Sequence, residues 1–246
     1  MAFGPLDAIV LFGDSLTQGG WEAGGFAQRL AYVYGRKLDV INRGLSGYNS
    51  EWAMPVFKDI LPRSHEKGPK MKLLVLWIGA NDACIPPSPQ HVTIDRFVEN
   101  LRQMVEFVHG PTSEWYSPDT RIILVTPPPF SETVRKATLA VRDPPQELDR
   151  TASNTKAYAQ AVIKLARELK LPVIDVYTAI DSAAGGTDEG LDEFFSDGLH
   201  LTTAGYTILY DRLIETIAAS YPELNHEGLP MVYPGWKDLI PEDQRF

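Results

Sequence analysis

Five short apolar runs, separated by stretches of helical periodicity, constrain this chain more than any other feature. They lie at 8–12, 38–41, 73–78, 122–125 and 173–174. Each is rich in Val, Ile and Leu and shows little alternation of polar and apolar positions. Strands covered by helices on both faces have that composition, whereas strands with one wet face alternate. Between the third and fourth runs, Ile94, Phe97, Val98, Leu101, Met104, Val105 and Val108 follow i, i+3, i+4, i+7 spacing. That spacing predicts a helix that buries one stripe, with Thr93 as its cap and Gly110-Pro111 as its stop. A second helix is expected over 147–169, a third over 203–220 with Thr202 or Thr203 as cap, and a shorter one over 24–36. Alternating strands and helices imply a mostly parallel sheet with right-handed crossovers. The fold class expected is α/β: a flavodoxin-like three-layer α/β/α sandwich on a five-stranded parallel sheet of order 2-1-3-4-5.

A chain of 246 residues fits one domain of this class. We place that domain at 1–220 and read 221–246 as a C-terminal extension packed on the same body. Its Tyr233, Trp236 and Leu239 could instead cover a site or complete a homodimer. The formal net charge of −9 argues against nucleic acid as a partner, because polyanions need basic patches. The densest basic stretch, Lys58, Arg63, Lys67, Lys70 and Lys72, is interrupted by Asp59 and Glu66 and reads as a solvated connector. No apolar run approaches the length of a membrane span, and no leader pattern opens the sequence, so the expected location is cytoplasmic. The only cysteine, Cys84, rules out an intrachain disulfide. No metal-ligand spacing occurs, and no cofactor is expected.

In open α/β sheets, ligands bind beyond the carboxyl ends of the strands. Strand one runs into Gly13-Asp14-Ser15-Leu16-Thr17, strand two into Asn42 through Asn49, strand three into Gly79-Ala80-Asn81-Asp82, and strand four into Thr126-Pro127-Pro128-Pro129. After strand five comes Ser196-Asp197-Gly198-Leu199-His200, just before the last helix. Four of these loops carry what acyl transfer needs. Ser15 sits on a tight turn at a helix start, where a backbone N–H can stabilise an oxyanion. A serine becomes nucleophilic only when a base takes its proton. His200 can do so, and Asp197, three residues earlier, can orient the imidazole. Gly47 and Asn81 can add donors to the oxyanion hole, beside the N–H of Ser15 itself. Two alternatives stay open: Asp14 in place of Asp197 behind the histidine, and Gly44 in place of Gly47. Asp197 could also merely cap the last helix, and Gly-x-Asn-Asp could be only a turn.

These segments together resemble the ordered blocks of the SGNH (GDSL) hydrolase family, with Ser15, Gly47, Asn81 and His200 in the four named positions. Within that family, the segments around Arg43–Asn49, Gly79–Ala83, Gln90-His91-Val92 and Asp197–Leu201 look most like the isoamyl acetate-hydrolysing esterases. The resemblance implies a serine esterase with Ser15, Asp197 and His200 as its triad and a small-molecule ester as substrate. It leaves open carbohydrate O-deacetylation and lysophospholipid or thioester cleavage by the same site. The α/β-hydrolase elbow Gly-x-Ser-x-Gly is absent. A non-catalytic reading, a flavin or phosphate binder using 13–17, is weakened by the negative charge of Asp14. Tyr48, Trp52, Ile85 and Leu199, with Pro86 and Pro87, are candidate pocket walls; rigid apolar walls would favour a small acyl group. His65, His109 and His226 read as surface residues, and His91 as a candidate rim residue. No role is read for 130–146.

Overall fold

The computed structural model describes residues 6–241 and residue 244. Five parallel strands form the sheet: β1 (Ala8–Gly13), β2 (Asp39–Gly44), β3 (Met71–Trp77), β4 (Arg121–Val125) and β5 (Val173–Ile174). Their order is β2-β1-β3-β4-β5, as the alternation predicts. Eight α-helices accompany them among the described residues: α1 (Ser15–Gln18), α2 (Phe26–Val33), α3 (Ser50–Ile60), α4 (Ile94–His109), α5 (Glu132–Ala140), α6 (Ala152–Leu169), α7 (Val176–Ala183) and α8 (Thr203–Ser220).

In β1, β3 and β4 the scarcity of alternation follows from two cores, whereas β2, at the sheet edge, is only partly buried. Ile9, Leu11, Leu73, Val75, Ile123 and Val125 point to one face, against Leu30 of α2, Ile180 of α7, and Leu209 and Leu213 of α8. Val10, Phe12, Leu74, Leu76, Ile122 and Leu124 point to the other, against Phe57 of α3, Phe97 and Met104 of α4, and Tyr158 and Val162 of α6. A fully buried leucine or phenylalanine contributes roughly 1.5–3 kcal/mol, so both faces stabilise the sheet. The pairing Gly13↔Gly44 and Gly13↔Trp77 ends β1, β2 and β3 at one level. The loops that follow these three strands therefore meet at one rim.

Several boundaries differ from the sequence reading. The helix expected over 24–36 is shortened to Phe26–Val33, and the one expected over 147–169 starts only at Ala152, capped by Thr151. Thr93 stands at the N-cap of α4 without a side-chain bond to the helix. Thr202 caps α8, accepting from the Gly205 N–H, so Asp197 does not. Ser196 does not directly follow the fifth strand: α7 and a 3₁₀ turn at Glu189–Glu193 intervene. The described part of the extension after α8 is anchored at the end of α2. Leu224 is buried in the first core, the Tyr34 hydroxyl donates to its carbonyl at 2.7 Å, and the Val232 N–H donates to Arg36 O at 2.8 Å. Tyr34 and Arg36 lead into the first residue of β2, at the amino edge of the sheet. Trp236 and Leu239 remain exposed. Among the described residues, no helix is long and apolar enough to cross a membrane.

Candidate active site

At the end of β1 the chain turns too tightly for a side chain. A Cβ on Gly13 would lie 2.0 Å from the Trp77 carbonyl oxygen. Asp14 then caps α1, its carboxylate accepting the Leu16 N–H at 2.9 Å. Ser15 is thereby the first helical residue, where its own N–H has no acceptor within the helix. Asp14 is buried, and burial pushes its carboxyl up to about 6 despite the Leu16 bond and the charges of His200 and Arg150. Its second oxygen has no partner among the described residues.

The turn 196–200 delivers the base. His200 Nε2 lies 3.0 Å from Ser15 Oγ, and His200 Nδ1 lies 2.9 Å from Asp197 Oδ2. Asp197 Oδ1 accepts the backbone N–H groups of Leu199 and His200 at 3.0 and 2.8 Å. The carboxylate thus holds both the ring and the turn that carries it. Burial opposes the charge on Asp197, but the bonds from the His200 ring and backbone and from Leu199 outweigh it. Its pKa is held well below the usual carboxylate range. Of the two carboxylates the sequence left open, Asp197 is the one bonded to His200, while Asp14 is turned to its own helix. Gly198 adopts φ +81°, and a Cβ there would lie 2.3 Å from the Arg135 backbone nitrogen. The turn needs glycine for both reasons.

Gly47 and Asn81 arrive from the loops after β2 and β3. Gly47 has φ +80°, and no described residue takes its N–H. The Gly44 N–H is already donated to Asn42 Oδ1 at 2.8 Å, which leaves Gly47 as the available donor. Asn81 is buried, and its Nδ2 donates one hydrogen to Tyr48 O at 2.8 Å, leaving the other amide hydrogen unspent. Further bonds clamp these two loops together. Gln90 Nε2 donates to Gly47 O at 2.8 Å, Asn49 Nδ2 to Gln90 O at 3.0 Å, and the Ser50 N–H to both oxygens of Asp82 at 3.0 and 3.1 Å. Burial pushes the Asp82 carboxyl up to about 7 against the bonds from Ser50. Beneath the loop, the buried Arg150 donates to Ala80 O at 3.0 Å and pairs with Asp149 at 2.8 Å.

A cleft of about 550 Å³ opens beside Ser15 and His200. It is lined by Gln18, Gly19, Trp21, Glu22, Ser46 and Ser196, along with the edges of Asp197, Leu201 and Tyr206. The four expected wall residues are absent from it. The Tyr48 ring packs edge-on to Trp52, Leu199 is buried in the turn, and Ile85 lines a separate groove with Pro86 and Pro87. His91 is tied by Nδ1 to the Cys84 carbonyl.

The sequence from 11 to 208 matches the model of the GDSL-like lipase/acylhydrolase family. The chain belongs to that family. It is similar to the isoamyl acetate-hydrolyzing esterase 1 homolog of Mus musculus, with 34% identity over 236 residues, 94% of this chain and 87% of the relative. A GDSL esterase/lipase of Arabidopsis thaliana is 32% identical over 232 residues, 92% of this chain and 90% of its own. Among solved structures, a lipase/acylhydrolase from Enterococcus faecalis matches with TM-score 0.60 and 25% identity, covering 93% of this chain and 100% of that one. An acetylxylan esterase from Geobacillus stearothermophilus shares the fold with TM-score 0.60 at 19% identity, covering 96% and 100%.

This GDSL hydrolase is therefore a carboxylic ester hydrolase by class, with the α/β sheet the sequence predicts. Its site also contains residues that sequence reading did not single out. Arg135 donates to Asp197 Oδ2 at 2.8 Å from α5, inside the segment given no role, and Arg150 braces the Asn81 loop. Trp21 and Glu22 line the cleft from the loop after α1. Spacing along α5, where Glu132 stands three residues before Arg135, does not say that the arginine meets Asp197 instead.

Proposed function

We propose that this chain hydrolyses small carboxylic esters, acetate-type esters of aliphatic alcohols, through an acyl intermediate on Ser15. The observation that carries the reading is the single imidazole bonded to both Ser15 Oγ and Asp197 Oδ2. His200 Nε2 takes the hydroxyl proton as Oγ attacks the ester carbonyl carbon. The N–H groups of Ser15 and Gly47 and the free amide hydrogen of Asn81 stabilise the resulting oxyanion. As the tetrahedral intermediate collapses, the alkoxide leaves with the proton from Nε2, and the acyl group stays on Ser15. Water then attacks the acyl carbon and gives its proton to His200. The second collapse expels Ser15 Oγ, which regains that proton, and releases the acid. Asp197 remains ionised throughout because its hydrogen bonds keep its pKa low. The relatives named for isoamyl acetate hydrolysis support the small-ester reading.

The cleft favours a second substrate, an O-acetylated sugar, on one observation. Its lining is polar, with Gln18, Glu22, Ser46 and Ser196 around the half-exposed ring of Trp21. A flat indole beside hydrogen-bonding groups suits a polyhydroxylated alcohol. The flavin or phosphate reading is not retained, because the Asp14 carboxylate occupies the start of α1 where a phosphate would sit. A panel of isoamyl acetate, acetyl, butyryl and octanoyl p-nitrophenyl esters and acetylated xylose separates these readings. The small-ester reading expects kcat/KM to be highest for isoamyl acetate and the acetyl p-nitrophenyl ester and to fall with acyl length. Preference for octanoyl would overturn it, and preference for the acetylated sugar would replace it with the second reading.

A further inference from the structure

We infer that Arg135 is a positioning residue for the catalytic carboxylate, and that α5 exists to bring a fixed positive charge behind Asp197. The inference rests on the reading of Ser15, His200 and Asp197 as the triad.

Asp197 Oδ2 accepts from two sides, His200 Nδ1 at 2.9 Å and Arg135 Nη1 at 2.8 Å. Oδ1 accepts two backbone N–H groups of its own turn. An ionised carboxylate has about four acceptor positions, and here four donors fill them. The carboxylate can neither rotate away from the imidazole nor find room for a proton. Without Arg135, Oδ2 would be held by His200 alone, and nothing outside the turn would anchor it.

The guanidinium is built in rather than draped on the surface. Its side chain is 6% exposed, and its Nε is buried with no partner among the described residues. Burial draws its pKa down, and the charge of Asp197 opposes that. The helix carrying it is stapled at its first turn. Asp188 accepts the Glu132 and Thr133 N–H groups at 2.7 and 3.0 Å, Ser131 Oγ donates to Asp192, and the Ser131 N–H donates to the Gly198 carbonyl at 2.9 Å. Gly198 in turn lies against the Arg135 backbone. The turn that carries Asp197 and His200 and the start of α5 therefore form one unit.

The test compares wild type, Arg135→Gln, Arg135→Lys and Ser15→Ala on p-nitrophenyl acetate, with kcat per active site and KM measured and thermal melts run alongside. Arg135→Gln is expected to lower kcat by about 10- to 100-fold, the equivalent of one charge-assisted hydrogen bond, with KM little changed. Arg135→Lys, which keeps a charged donor, should restore most of the lost kcat. A merely structural arginine would lower the melting temperature and the active fraction found by burst titration of the acyl-enzyme while leaving kcat per active site unchanged, which would overturn the inference. So would a wild-type kcat in a folded Arg135→Gln enzyme. Ser15→Ala keeps the two readings apart: activity in that variant refutes the triad, whereas an inert Ser15→Ala beside an unaffected Arg135→Gln refutes only the role of Arg135.

Discussion

At Asn81 the Tyr48 carbonyl takes one amide hydrogen and leaves the other unspent, so the donor proposed for the oxyanion is already oriented. A preoriented donor stabilises developing charge without reorganising, which is where most of its effect on rate originates. Asn81→Ala should therefore lower kcat by about 10²–10³ with little change in KM. Steady-state kinetics on p-nitrophenyl acetate checks this, and an unchanged kcat would reduce Asn81 to a turn former. That Ser15, Asp197 and His200 come together was legible in the sequence, because each lies in a short strand-end segment whose local spacing suits the contact. Arg135 and Arg150 were not, because Asp197 and the Ala80 carbonyl, which they meet, lie 62 and 70 residues away. The walls were misread for a related reason. Tyr48 contributes its carbonyl while its ring packs on Trp52, and no pattern in the sequence distinguishes the two uses.

The loop after β2 shows how two glycines three residues apart serve different ends. A Cβ on Gly44 would lie 2.0 Å from the Gln18 backbone nitrogen, so β2 could not end against α1. A Cβ on Gly47 would meet only Gln90 Nε2, at 3.7 Å, and the need there is for φ +80°. Gly47→Ala should cost about 1–2 kcal/mol from left-handed backbone strain alone and leave a folded enzyme. Gly44→Ala should cost more, because backbone must move. Urea unfolding of both variants checks the ranking, and equal losses would contradict it. The five strands were legible as continuous apolar runs, and the long helices α4, α6 and α8 because one-sided burial imposes a period. Helix α3 carries Pro55 inside it, and α5 and α7 are short, so their periodicity set no boundaries.

Across the whole molecule, the level ends of β1, β2 and β3 bring the segments carrying Ser15, Gly47 and Asn81 to one rim, and the turn before α8 brings His200 to Ser15 from the far end of the chain. The C-terminal extension is anchored at the other edge, by Leu224 on Tyr34 and Val232 on Arg36. The central claim is that Ser15 alone is activated, although Ser46 and Ser196 line the same cleft. The most direct measurement is labelling with a fluorophosphonate, followed by mass mapping of the modified peptide and assay of residual esterase activity. The structure predicts one adduct, on Ser15, with activity lost in proportion to labelling. An adduct on Ser46 or Ser196, or full activity after complete labelling of Ser15, would contradict it.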